Sequence, residues 1–213
     1  MIAVNSGCTI FSGKGFPMKR VALIFLSLAV ISGCTSEPSK PEQKPQPSPP
    51  ELLTGRSAFQ QLYIAAHGWA PDARPFLLQS EVIADAKGKD GKAGLWRAGF
   101  GSERLHGSKP YMWSGVDSPD ASSRGVSPGT QDSYLPGNAF DVAFLKIDSD
   151  KAFDVAQKHG GDKITDTPII YLLDWNRSGN NLVWHVIYGS SRNEAKLVVD
   201  VDATTSEFIR KEK

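Results

Sequence analysis

The chain has 213 residues, and its 24 lysines and arginines nearly balance its 23 aspartates and glutamates, giving a formal net charge of +1. Because nucleic-acid binding needs a strongly basic surface, this balance argues against DNA or RNA as a partner. Two cysteines, Cys8 and Cys34, are too few for a disulfide framework, so we expect the folded part to depend on its own hydrophobic core.

The first 33 residues have the pattern of an export signal rather than of a folded segment. Lys19 and Arg20 precede an apolar run at residues 21–30 (VALIFLSLAV), which is too short to span a bilayer. Met18 stands at the usual distance from such a run, so we expect it to be the true start and residues 1–17 to be an extension. Residues 1–33 are therefore predicted to be an N-terminal extension and a signal peptide.

The signal ends in Ile31-Ser32-Gly33-Cys34, which resembles the lipobox of bacterial lipoproteins. The resemblance implies that the Cys34 thiol carries a diacylglycerol, that the new amine receives a further acyl chain such as palmitate, and that these chains hold the protein on the membrane. Thr35, which is not an aspartate, then favours the outer membrane facing the periplasm if the host has two membranes. The alternative is an ordinary secretory signal with an incidental cysteine.

A proline-rich linker, residues 34–52, follows the cysteine. It has many prolines and charges and almost no large apolar residue, so it cannot bury enough surface to fold, and we expect an extended tether. A proline-rich ligand for a partner domain is the alternative for this segment.

Two similar halves follow, residues 53–116 and 139–213. In the first, Phe59, Leu62, Tyr63 and Ala66 form one apolar helix face; in the second, Ala152, Val155 and Ala156 do so, with Ser149 or Asp150 as the N-cap. Both helices are predicted to end at His-Gly, with Gly68 and Gly160 in the left-handed position after the helix.

Three strands are predicted after each helix. The first follows Pro75 in one half and Pro168 in the other. The second strands share a spaced pattern that includes Trp96 and Trp184, with Phe100 and Tyr188 four residues later, so these aromatic residues are expected to pack in the core. The third strands are residues 110–114 and 197–201.

The two halves are joined by a Gly/Ser/Pro-rich segment, residues 117–138, which we expect to be a loop, and residues 140–147 (FDVAFLKI) are predicted to form a strand. This order predicts an α+β fold with helices on one face of an antiparallel sheet.

The second half resembles the PepSY module on its helix alanines Ala152 and Ala156, on Trp184-His185-Val186, and on residues 201–207 (VDATTSE), where Ser206 stands in place of the glycine that the family favours. The first half is PepSY-like only through the internal repeat. The resemblance implies a helix packed on an antiparallel sheet and a non-catalytic binding, inhibitory or chaperoning role. Family members occur in propeptides of thermolysin-like peptidases and in cell-envelope proteins.

Catalytic, cofactor and metal sites are not expected. The sequence lacks a His-Glu-x-x-His motif, and Ser102 and Ser190 lack the second glycine of a nucleophile elbow. His185 is expected to face solvent or the opposite sheet face. Asp117, Asp120 and Asp132 lack the regular spacing of an EF-hand, although a calcium site in their segment is the alternative to simple turn chemistry.

Trp113 and Trp175 have no packing role in the repeat, so they are the candidates for exposed contacts with a partner, in a groove between the halves covered by residues 115–137. The sequence thus predicts a membrane-anchored, non-enzymatic binding module for an envelope protein or peptide, which could inhibit or chaperone a peptidase. A structural envelope protein that docks onto a larger assembly is the alternative.

Overall fold

The computed structural model describes residues 48–84, 86–117, 123–133 and 137–213. Cys34, the signal sequence and most of the linker lie outside the described residues, and so does Asp120. Among the described residues, no helix is both long and apolar enough to cross a membrane.

In each half of the described chain, one helix is followed by three long strands. In chain order the elements are β1 (Leu53–Thr54), α1 (Gly55–Trp69), β2 (Arg74–Ser80), β3 (Lys92–Ala93), β4 (Leu95–Ser102), β5 (Gly107–Ser114), β6 (Gly125–Pro128), β7 (Asp132–Ser133), α2 (Ser149–Lys158), β8 (Ile169–Asn176), β9 (Asn181–Tyr188), β10 (Leu197–Asp202) and β11 (Phe208–Glu212). Helix α1 is followed by β2, β4 and β5, and helix α2 is followed by β8, β9 and β10.

Nine of the described strands form one antiparallel sheet in the order β11-β10-β9-β8-β2-β4-β5-β6, with β7 beside β5. The two halves meet at the centre, where Leu78 of β2 is opposite Leu173 of β8. Strands β1 and β3 form a separate small ladder. The predicted α+β class with an antiparallel sheet is confirmed.

A single hydrophobic cluster lies between the sheet and the two helices. Trp96, Trp184, Phe100 and Tyr188 are fully buried in it, as the alternation of their strands predicts. The Trp96 and Trp184 rings meet edge to face with 6.4 Å between their centres, so the core is continuous across the boundary between the halves.

The helix faces agree with the prediction more closely than the helix ends do. Phe59, Leu62 and Ala66 of α1 are buried. Helix α1, however, continues past Gly68 and ends at an extended cap residue, Ala70, so the left-handed glycine predicted there is wrong. Gly160 does have a positive φ of 114° after α2, where only glycine adopts such a value readily.

Asp148 is the N-cap of α2, one residue before the predicted Ser149 or Asp150. Its carboxylate accepts a hydrogen bond from the Ser149 backbone N–H. Ser149 is the first residue of the helix and is buried, and its hydroxyl donates to the carbonyl of Gly91 instead of capping the helix.

The strand predicted for residues 140–147 is wrong. The segment contains a turn of 3₁₀ helix, Val142–Phe144, whose start is capped by Asp141. Phe140 and Leu145 are buried while Val142 and Phe144 are exposed, so the apolar alternation does not correspond to a buried strand face. Some backbone bonds of this segment form within the turn, and the others are isolated bonds from Phe140 to the Pro75 carbonyl and from Lys146 and Ile147 to the Ala203 carbonyl, which do not make a strand ladder.

The predicted loop at residues 117–138 also needs correction. Its described parts contain β6 and β7, which both pair with β5 and extend the sheet beyond the first half. Arg124, just before β6, donates hydrogen bonds to the carbonyl oxygens of Ser48 and Pro49, so this segment holds the end of the linker.

Candidate functional site

An open groove of about 520 Å³ lies between the first two turns of α1 and the segment that precedes α2. It is lined by Arg56, Ser57, Phe59, Gln60, Tyr63, Val142, Leu145 and Asp148. One wall therefore belongs to the first half of the chain and the other wall to the second half. The described part of residues 115–137 contributes no lining residue, so that part does not cover the groove.

The apolar part of the groove is backed by the aromatic core. The ring of Phe59 lies 6.0 Å from that of Phe100 and 6.4 Å from that of Phe140, measured between ring centres. Tyr63 packs 5.6 Å from Phe59 along the same helix face. Because these rings belong to both halves and pack closely, the floor of the groove is pre-formed.

Asp148 joins the starts of the two helices at one end of the groove. Its Oδ1 accepts from the backbone N–H of Arg56 at 2.8 Å, and its Oδ2 accepts from the hydroxyl of Thr54 at 2.7 Å. The backbone N–H of Gly55 donates to the Ser149 hydroxyl at 2.7 Å, and that hydroxyl donates to the carbonyl of Gly91. One carboxylate thus caps α2 and also satisfies an N-terminal N–H of α1.

Arg56 lies beside Asp148 at the same end of the groove. Its Nη1 donates to the carbonyl of Lys146 at 3.1 Å. Within the described chain, no carboxylate pairs with its guanidinium. The groove therefore combines apolar walls with one cation whose other N–H groups point to solvent-accessible space.

A second polar constellation lies on the helix-free face of the sheet. His185 of β9 is buried between two carboxylates: its Nδ1 is 2.5 Å from Asp200 and its Nε2 is 3.2 Å from Asp174. Arg210 of β11 donates to the other oxygen of Asp200 at 2.8 Å. His185 thus lies on the opposite sheet face, as predicted, but it is 6% exposed rather than solvent-facing.

Neighbouring charges shift the pKa values of His185 and Asp200. Burial alone would lower the pKa of His185, but the hydrogen bonds to Asp174 and Asp200 outweigh it and raise the pKa. Burial would raise the pKa of Asp200, and contacts with His185 and Arg210 instead lower it. Since both ring nitrogens of His185 face carboxylates, neither is free to accept a proton from a substrate, and the arrangement links β8, β9, β10 and β11.

The candidate contact tryptophans lie apart from the groove. Trp113 is 2% exposed and packs in the core opposite Trp96, so its expected exposure is wrong. Trp113 has no matching tryptophan in the second half, because Val201 lies at the corresponding position beside Trp184. That difference between the halves did not indicate exposure of Trp113. Trp175 is half-buried and contacts the exposed Phe144 with 5.3 Å between ring centres, and Val142 of the same turn lines the groove.

Ser102 and Asp117, which were weighed for chemistry, have structural partners. Ser102 is buried and donates to Asp72, while accepting from the Leu105 N–H in the turn after β4. Asp117 pairs with Arg124. No group of three or more histidine, cysteine, aspartate or glutamate side chains in the described ranges is arranged to hold a metal ion.

Sequence patterns did not identify Arg56 and Asp148. The Asp148 carboxylate meets the backbone N–H of Arg56 from a position 92 residues away, where the starts of the two helices come together. An aspartate directly before a predicted helix is a capping signal, and that signal was available at Asp148.

No protein-family model matches the sequence, and no curated protein matches it. Among solved structures, the fold is similar to the crystal structure of a putative lipoprotein (CD1622) from Clostridium difficile 630. The two chains are 10% identical, with a TM-score of 0.51 over 73% of this chain and 91% of the other. At this identity the likeness establishes a shared fold.

Proposed function

We propose that the protein is a lipoprotein of the cell envelope, anchored through acyl chains on Cys34. The support is the short apolar signal that ends in Ile31-Ser32-Gly33-Cys34, together with a fold shared with a protein that is itself described as a putative lipoprotein. The proline-rich residues after Cys34 then connect the anchor to the folded domain, whose described part begins at Ser48.

The folded domain consists of two PepSY-like units that arose by duplication. The indole N–H of Trp96 donates to the carbonyl of Leu53, and that of Trp184 donates to the carbonyl of Ile147. Each acceptor stands two residues before the first residue of its own unit's helix. This equivalence supports a repeated scaffold that reuses the same tryptophan contact.

The domain acts as a non-enzymatic binding module for a protein or peptide partner in the envelope. The observation that carries this proposal is the open groove between α1 and residues 142–148, which both units build and which has a pre-formed apolar floor. Inhibition or chaperoning of a peptidase is the form of binding that the PepSY resemblance suggests.

The anchor is tested by metabolic labelling with radioactive palmitate. The wild-type chain should incorporate label and fractionate with membranes, and Cys34→Ala should do neither. Label that persists in Cys34→Ala would contradict acylation at this residue.

The binding site is tested by placing a photo-crosslinking amino acid at Gln60, which lines the groove, and at Gln61, an exposed neighbour on α1 that does not line it. Irradiation of intact cells should attach an envelope protein or peptide at position 60 and not at position 61. Equal products at both positions, or no product at position 60, would contradict a partner in the groove. A product formed in stoichiometric yield within a large assembly would instead favour a structural docking role.

A further inference from the structure

The groove presents two different chemistries to a bound segment. Val142, which is 36% exposed, offers apolar surface, and the largely buried Phe59 and Leu145, 6% and 7% exposed, form the floor beside it. Arg56 offers a guanidinium at the end where the two helices start. A ligand that matches both must carry an apolar side chain and an anionic group within the same short segment.

Among the described residues, no carboxylate forms an ion pair with the Arg56 guanidinium. The Asp148 carboxylate accepts from the Arg56 backbone, Thr54 and Ser149 at the N-termini of two helices, whose partial positive charges offset its own charge. Asp141, next to Val142, accepts from the Ala143 N–H. The guanidinium makes one hydrogen bond, to the Lys146 carbonyl, which holds its plane in place and leaves further donors for a planar anion.

The shape of the groove favours the end of a peptide over its middle. Asp148 and the two helix starts that it joins occupy the end beside Arg56, so a bound chain that reaches Arg56 meets this joint. The groove volume of about 520 Å³ is that of a small-ligand site, large enough for a few residues and too small for a long segment.

From these features we infer that the groove binds the C-terminal carboxylate of a peptide, with Arg56 contacting the carboxylate and the apolar wall holding the side chain of a terminal residue such as leucine. This inference rests on the proposed binding function and names the partner's chemistry at that same site.

The test uses N-acetyl-L-leucine and N-acetyl-L-leucinamide as probes, which differ only in the terminal charge. Both are titrated at millimolar concentrations into the ¹⁵N-labelled mature protein in detergent, and the amide signals of Arg56, Ser57 and Gln60 are followed. The acid should shift these signals saturably, and the amide should bind about tenfold more weakly, since a hydrogen-bonded charge pair is lost. An acid and an amide that shift them equally, or an acid that shifts none of them, would overturn the inference.

Substitutions of Arg56 test whether its charge, rather than the fold as a whole, determines binding of the acid. Arg56→Gln should weaken the acid about tenfold without affecting the amide, and Arg56→Lys should retain part of the preference. Arg74→Gln serves as the matched control, because Arg74 is an exposed arginine that does not line the groove. Binding of the acid that is unchanged in Arg56→Gln would also overturn the inference.

A failure of the carboxylate inference can be told apart from a failure of the proposed binding function. If the crosslink at Gln60 forms but the acid and the amide bind equally, the groove binds a partner by other chemistry and only the carboxylate inference fails. If the crosslink at Gln60 does not form, the binding function itself fails.

Discussion

At the scale of single residues, the least expected feature is the buried histidine on the open sheet face. Alternation along β9 correctly predicted that His185 points away from Trp184, but it could not show what lies beside it. Asp174, Asp200 and Arg210 belong to three other strands, and they meet His185 only through strand pairing. Local sequence carries no information on such contacts, because they depend on the order and register of the sheet.

The protonated His185 should stabilise the fold in a defined pH range. Because its folded-state pKa is raised above the unfolded value of about 6.5, its contribution is fully present below pH 6.5 or so and declines as the pH rises through the folded pKa. The pKa of Asp200 is lowered, so its contribution is present above about pH 4 and declines as the pH falls through the folded pKa.

We therefore expect His185→Gln to lower the free energy of unfolding by about 3 kcal/mol at pH 5, because it removes a cation from between two carboxylates. The loss should be smaller at pH 9. Urea denaturation of the variant and the wild type at pH 5 and at pH 9 measures the loss of unfolding free energy at each pH. The control is His106→Asn, an exposed turn residue with a positive φ that asparagine tolerates. A loss from His185→Gln that does not depend on pH would contradict the assigned charge.

Two glycines of α1 provide a second test at this scale. A methyl group at Gly55 would lie 2.5 Å from the ring of Trp184 and 3.2 Å from that of Trp96, whereas at Gly68 it would meet nothing within 4 Å. We expect Gly55→Ala to destabilise the protein by about 1–3 kcal/mol through overpacking. Gly68→Ala should stabilise it by about 0.5–1 kcal/mol, because alanine loses less backbone entropy in a helix. Thermal unfolding of the two variants should show midpoints displaced in opposite directions, and midpoints displaced the same way would contradict this packing.

At the scale of elements, the joint between the two helix starts controls the geometry of the groove. The sequence predicted both helices and their buried faces from the spacing of Phe59, Leu62 and Ala66, because helical periodicity is a local property. It did not predict that one aspartate serves both helices. The strand predicted for residues 140–147 was wrong, since only Phe140 and Leu145 are buried while Val142 and Phe144 are exposed.

We expect Asp148→Ala to lower the free energy of unfolding by about 2 kcal/mol, because N-terminal N–H groups of both helices lose their acceptor. Asp154→Ala is the control on the same helix, since its exposed pair with Lys151 should contribute at most about 0.5 kcal/mol. Guanidinium denaturation of both variants provides the comparison. Equal effects of the two substitutions would show that the shared cap is not a stabilising contact.

At the scale of the whole molecule, the two halves share one sheet and one core. Trp96 of the first half packs against Tyr171 and Trp184 of the second, and β2 pairs with β8 at the centre of the sheet. The sequence predicted two similar halves and a groove between them, because both follow from the order of elements. It could not predict the walls of the groove, which depend on how α1 and residues 142–148 pack against the common core.

The central claim is that this groove, built by both halves, holds an envelope partner. The most direct measurement blocks the groove in cells: Gln60→Trp places a large ring among the lining residues, and Gln61→Trp places the same ring on the solvent side of α1. Recovery of the bound partner from envelope extracts should fall at least about tenfold for Gln60→Trp and stay at the wild-type level for Gln61→Trp. Equal recovery from both variants, each folded and anchored as the wild type, would contradict the claim.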